Sequence, residues 1–312
     1  MSHGHHHGHH HHVDPAAGDR RVAVAVAINL GLTVAQVVGG VLAGSLALIA
    51  DALHNFSDAI SLVIAFAARK IARRPADPAM TFGYGRAEVV AALINYTTLI
   101  VIGLYLAVEA FGRLLDPQGV DGWLVVVIAA VALVVDLATA LLTWTMAKTS
   151  VNIRAAFLHN LADALGSVAV ILAGTLILLW DWRLADPIVT LAIAGYILWM
   201  AFAEIGGVIR ILMLGSPPEL DAAGVALALA DVEGVREAHH LHLWQMQEHA
   251  AALEAHVVVE AGRWEEADAI KATAKAMLRD RYGIVHATLE LECARHACRE
   301  TLAIGHPEPL AD

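Results

Sequence analysis

The chain has 312 residues, 58% of them hydrophobic and only 16% charged, with a mean hydropathy of +0.61. Soluble domains are not built this way, whereas polytopic membrane proteins are. The formal net charge of −11 argues against nucleic acid as a partner, and two cysteines, Cys293 and Cys298, exclude both a disulfide framework and thiolate as the main chemistry.

Residues 1–20 carry eight of the 18 histidines between positions 3 and 12, interrupted by Gly4 and Gly8. Such a tract is either a purification tag or a metal-gathering tail, and in both cases it is expected to be disordered and without an essential role. The apolar segment behind it has charged flanks and does not read as a cleavable signal peptide. Six apolar stretches follow: 21–42, 46–70, 87–112, 121–147, 155–181 and 186–213. Each is long enough to cross a bilayer, which takes about 20 residues. The breaks carry Pro or Gly: Ala43-Gly44, Arg74-Pro75 through Gly85, Asp116-Pro117 through Gly122, and Asp186-Pro187. The first break is so tight that the first two spans must form a hairpin. With the N-terminus in the cytoplasm, the inside segments hold Arg20, Arg21, Arg69, Lys70, Arg73, Arg74, Arg86, Lys148, Arg154 and Arg210. The outside turns then hold only Arg113 and Arg183. This asymmetry places both termini in the cytoplasm of a multi-pass inner-membrane protein.

Beyond Met213 the pattern changes. A helix over 219–231 precedes strand-like runs at 235–243 and 251–260, a charged helix at 264–281 and a strand at 284–292. The order α-β-β-α-β predicts a small cytoplasmic α+β domain over 216–292, after a transmembrane domain over 21–213 and before a tail over 293–312.

The chemistry lies in a repeat. Leu-His-Asn-x-x-Asp-Ala occurs at 53–59 and again at 158–164, each time within an apolar run. Ionisable side chains are costly there and mark function. A His and an Asp four residues apart reach one side of a helix. His54, Asp58, His159 and Asp163 thus offer two imidazole nitrogens and two carboxylate oxygens, a set suited to Zn²⁺, Co²⁺ or Cd²⁺. An imidazole must be neutral to bind metal, so protons compete for the same atoms, and exchange of metal for protons is the reaction this set invites. Asp51 shares the face of His54 and Asp58, either orienting His54 or lining a watered vestibule. Asn29, Gln36 and Asn95 read as inter-helix hydrogen bonders, Glu109 as hydrated near the outer boundary, and Asp136 as a mid-span acid without a visible partner.

The chain resembles the cation diffusion facilitator family of metal/proton antiporters, close to its bacterial zinc-efflux branch. Besides the two His-x-x-x-Asp pairs, the resemblance rests on Ser45-Leu-Ala-Leu-Ile-Ala-Asp-Ala-Leu-His54, Arg74-Pro-Ala-Asp and Thr81-Phe-Gly-Tyr-Gly-Arg-Ala-Glu88. It extends to Asn152-Ile-Arg-Ala-Ala-Phe-Leu-His159, Asp163-Ala-Leu-Gly-Ser-Val168 and His239-His-Leu-His-Leu-Trp244. It implies a six-helix transmembrane domain whose second and fifth helices form a transport site at His54, Asp58, His159 and Asp163. It also implies a homodimer and a cytoplasmic domain of ferredoxin-like, metallochaperone-like fold that binds zinc. There His239, His256 and His286 fall on metal-ligating positions, with Glu292 as the acidic partner. A loop metal site of some relatives matches Asp77, Met80 and Tyr84 here and is expected to be missing, leaving Asp77 to cap the loop or stand in solvent.

Strand alternation puts His240 and His242 on one face and His239 on the other. His240 and His249 read as surface residues, and Cys293, His296 and Cys298 form a loose cluster without standard zinc spacing. The expected activity is export of cytoplasmic zinc, or of cobalt or cadmium, in exchange for protons, with the lipid bilayer as setting. Motif helices running in opposite directions, one in each three-span half, fit alternating access at a midplane site. The alternatives are a membrane-embedded metal-dependent hydrolase, for which no His-Glu-x-x-His motif is present, and a metal sensor signalling through the last domain.

Overall fold

The protein is described from a computed structural model. The described residues are 30–144, 151–247, 250–298 and 302–305, with side chains at all of these except 62, 139, 142–144 and 151–160. The expected His-rich tail, Asn29, Lys148 and His249 lie outside them. Contacts divide the chain into two compact units, Met1–Val63 with Thr97–Phe202, and Ile64–Tyr96 with Ala203–Asp312.

Among the described residues, six apolar helices come first: α1 (Leu30–Ala43), α2 (Leu46–Ala72), α3 (Ala87–Leu115), α4 (Gly122–Trp144), α5 (Val151–Trp180) and α6 (Ala185–Leu212). Among the described residues, α2, α3, Leu161–Trp180 of α5 and α6 are long and apolar enough to cross a membrane, and Leu30–Ala43 and Gly122–Ala138 are shorter apolar helices.

In the first unit, α1 turns into α2 at Gly44, whose φ of +70° only glycine adopts without strain. Asp186, at the start of α6, closes the open N-terminus of α2: its carboxylate accepts from the Leu46 and Ala47 amides at 2.8 and 3.3 Å and from the Ser45 hydroxyl. The Asp121 amide donates to Ala43 O at 2.8 Å, and the Asp121 carboxylate caps α4 by accepting from Trp123 and Leu124. Small residues let the helices approach: a Cβ at Gly122 would stand 2.6 Å from Gly174 O, and one at Gly174 would stand 2.9 Å from Val125. Because the C-terminal half of α5 thus packs beside the start of α4, next to the α1–α2 turn, α5 runs opposite to α2.

In the second unit, α7 (Ala222–Ala230), β1 (Val235–Gln247), β2 (Ala250–Val259), a 3₁₀ turn (Trp264–Glu266), α8 (Ala267–Tyr282) and β3 (His286–Cys293) follow in the expected order. The sheet order is β1-β2-β3, with β1 antiparallel and β3 parallel to β2. Val225 and Leu229 of α7 and Ile270, Ala274 and Leu278 of α8 pack on Leu253, Ala255 and Val257 of β2. Both helices therefore cover one sheet face. The other face carries His256, Glu290 and Glu292, in pairing positions alternate to that core. Asp221 caps α7, and Gly283 ends α8 at φ +69° with the Ile284 amide reaching back to Leu278 O.

Candidate metal centre

The antiparallel course of α2 and α5 brings the two sequence repeats together. His54 Nε2 lies 3.4 Å from Asp163 Oδ1 and 3.7 Å from Asp58 Oδ2. One ligand atom from each of these three residues falls within 4.8 Å of the others. The His54 and Asp163 side chains are 7% and 10% exposed, while Asp58 keeps 25%. The centre is therefore enclosed but open at the Asp58 edge. His159 stands one helical turn before Asp163 on α5, and its side chain lies outside those described. The Tyr196 and His54 rings stand nearly perpendicular, with centroids 6.2 Å apart.

Polar side chains fill the surroundings. Gln36 on α1 donates to Asp51 Oδ2 at 2.7 Å, the inter-helix role its position predicts. Gly166 on α5 leaves room for Asp51: a Cβ there would stand 3.2 Å from Oδ1. Asp136, buried on α4, accepts from the Ser167 hydroxyl at 3.1 Å. That partner was invisible in sequence because it sits on another helix, 31 residues away. The role of Asp186 was equally hidden, since its three donors lie about 140 residues earlier.

A second set lies on the open face of the α+β sheet. His239 pairs directly with His256 across β1 and β2. His256 Nδ1 lies 2.7 Å and His239 Nε2 3.5 Å from Glu292. Glu290 adds a carboxylate 3.4 Å from His256 Nε2. Burial pushes the Glu292 carboxyl up, but hydrogen bonds with His256 and from Cys298 outweigh it and leave it below the usual range. The same carboxylate pushes the Cys298 thiol up.

His286 does not join this set: it pairs with Ala252, four residues or about 13 Å along β3 from Glu290, and packs on Phe82. Nor does strict alternation hold on β1. A bulge between His239 and His242, with His240 at φ +49°, brings the His240 ring within 5.0 Å of both the His239 and His256 rings.

Between α2 and α3, Asp77 caps its own loop as expected. Its carboxylate accepts from the Ala79 and Met80 amides at 2.8 and 2.9 Å and from the Tyr84 hydroxyl at 2.7 Å. These bonds, that from Tyr84 foremost, hold the Asp77 carboxyl below its usual range. Tyr84 thus uses the position to tie the loop rather than to hold metal. Arg86 then anchors the loop to β1 by donating to Met246 O and Gln245 O at 3.0 and 3.3 Å.

Residues 22–213 match the family model of the cation efflux transmembrane domain, and residues 217–293 that of the cation efflux protein cytoplasmic domain. The chain belongs to the cation diffusion facilitator family, in its zinc-efflux branch. It is similar to the metal cation efflux system protein CzcD of Cupriavidus metallidurans, 33% identical over 95% of this chain and 92% of that protein. The zinc transporter ZitB of Pectobacterium atrosepticum is 36% identical over 95% of this chain and 90% of its own length. The cadmium, cobalt and zinc/H(+)-K(+) antiporter of Bacillus velezensis is 36% identical over 85% of this chain and 86% of its own length. Among solved structures, the metal-bound C-terminal domain of the C. metallidurans CzcD transporter matches 23% of this chain and 99% of its own, at 31% identity and a TM-score of 0.21. As a cation diffusion facilitator, this chain is a multi-pass membrane protein that moves metal cations, with a cytoplasmic α+β domain.

Proposed function

We propose that this facilitator exports zinc, with cobalt and cadmium as further substrates, from the cytoplasm in exchange for protons. His54, Asp58, His159 and Asp163 bind the ion. The observation that carries this reading is the convergence of His54, Asp58 and Asp163 from two antiparallel helices onto one buried centre. His159, on the α5 face that carries Asp163, completes a four-ligand set that suits a tetrahedral divalent ion. Relatives that carry zinc, cadmium and cobalt in their names support the substrate class.

The chemistry follows from the ligands. Carboxylates attract the cation, and imidazoles hold it only when deprotonated, so protons arriving at the same atoms release it. Rocking of the helices then opens the centre to either side in turn. We place both termini in the cytoplasm on the charge asymmetry, divide the chain at 21–213 and 216–292, and read the working form as a homodimer. The cytoplasmic His239, His256 and Glu292 set binds zinc as a regulatory or structural ion.

Zinc uptake into inside-out-oriented proteoliposomes under an imposed pH gradient tests the reading. Asp163→Ala and His54→Ala should each abolish flux, and collapsing the gradient should stop it in the unmodified protein. Flux that survives Asp163→Ala sinks the site, and flux that survives the collapse sinks the coupling.

A further inference from the structure

Where α2 ends and α3 begins, an apolar cavity opens beside a cluster of cations. Its volume is about 880 Å³, within the roughly 300–1,000 Å³ of small-ligand sites. Ala68 and Ile71 of α2, Val90 and Ile94 of α3, and Trp244 and Met246 of β1 form its walls. Met80 and Phe82 of the connecting loop line it as well. They stay 44% and 66% exposed, a costly arrangement for large apolar side chains facing water. Because α2 and α3 are both long and apolar enough to span a bilayer, the cavity lies at the membrane boundary, where headgroups give way to acyl chains.

The charge around it is the reverse of that of the whole chain. The protein has a formal net charge of −11, yet Arg69, Lys70, Arg73, Arg74 and Arg86 gather at the end of α2 and in the following loop, against one acid there, Asp77. Arg69 stands 3.9 Å from Glu88, and Arg86 is engaged by the carbonyls of β1. Lys70, Arg73 and Arg74 are exposed and form no ion pair among the described residues. The Arg74 guanidinium lies 5.9 Å from the centre of the Tyr84 ring, which lines the cavity, so one of these cations stands at its mouth. The positive-inside bias accounts for cations at a span end but requires no cavity beside them. An apolar cavity, in turn, requires no charge. An amphiphile with an anionic head uses both.

We propose that this cavity holds an acyl chain of an anionic phospholipid, whose phosphate meets Lys70, Arg73 and Arg74. Clustered cations next to a membrane span attract such headgroups, and burial of the chain adds an apolar contribution that a free phosphate ion cannot supply. The lipid touches the ends of two spans and β1 together. It thereby joins the bilayer to the cytoplasmic domain through residues that ligate no metal.

Native mass spectrometry tests the site on the full-length protein, delipidated in detergent and then given phosphatidylglycerol or phosphatidylcholine with the same acyl chains. The unmodified protein should retain phosphatidylglycerol at about tenfold lower lipid concentration than phosphatidylcholine. Replacing Lys70, Arg73 and Arg74 together by Gln should remove that preference. Ala67→Trp fills the cavity from its exposed α2 wall and should abolish tight binding of both lipids. Ala67→Leu, a smaller filling, should weaken binding in the same direction and keeps the test decisive if the larger side chain prevents folding. Glycerol phosphate, a headgroup without chains, should not displace phosphatidylglycerol. Equal retention of the two lipids by the unmodified protein overturns the proposal, as does a preference that survives both Ala67 variants. Loss of a second copy of the chain, rather than of lipid, in those variants would assign the cavity to a protein contact and overturn it too.

Discussion

Asp186 shows how one residue determines the entry of a helix it does not belong to. Its carboxylate satisfies two amides at the start of α2 and the Ser45 hydroxyl, and all of these are buried. Asp186→Ala strands those donors, and an unfolding midpoint in detergent should report a loss of about 1–3 kcal/mol. Gly174 is the steric counterpart. A methyl group there meets Val125 and Val126 at 2.9 and 3.0 Å, so Gly174→Ala should cost about 1–3 kcal/mol by the same assay. Neither role was legible in sequence, because the groups that give each residue its meaning lie on other helices. The His54–Asp58 pair was legible, because residues four apart share a helix face whatever surrounds them.

At the scale of elements, the loop between α2 and α3 is held by Asp77 and Arg86. The Asp77 carboxyl titrates below its usual value near 3.8, chiefly through the Tyr84 hydroxyl. A value lowered by folding means that its contribution is complete above 3.8 and is lost as pH falls through the lower folded value. Tyr84→Phe should move that loss upward toward 3.8, measured as hydrogen exchange of the Ala79 and Met80 amides against pH. An unchanged profile in Tyr84→Phe would show that the phenol does not hold the loop. Strand β1 carries the opposite lesson. Its alternation assigned His239 to one face and His240 to the other, but a bulge inserts an extra residue and resets which side chains meet His256. Bulges answer to cross-strand pairing and edge contacts, which a single sequence does not display. The tail at 302–305, bonded to that bulge, is such a contact.

For the whole molecule, metal should stabilise as well as pass through. An ion that binds only the folded cytoplasmic domain adds about 2.7 kcal/mol at a hundred times its dissociation constant. Zinc should therefore raise the domain's apparent melting temperature and a chelator should reverse the rise, by thermal unfolding of the full chain. Glu292→Gln should shrink the shift, because Glu292 lies against both His239 and His256. The sequence by itself determined the six apolar helices, the α-β-β-α-β domain and the two His-x-x-x-Asp pairs. All three follow from periodicity and hydrophobicity, which are local properties. Tertiary structure alone decided that Asp186 closes the start of α2, that Asp136 meets Ser167, and that Glu290 and Cys298 rather than His286 gather around His256. Those neighbours are set by helix direction, strand register and a bulge, and each depends on atoms far away along the chain.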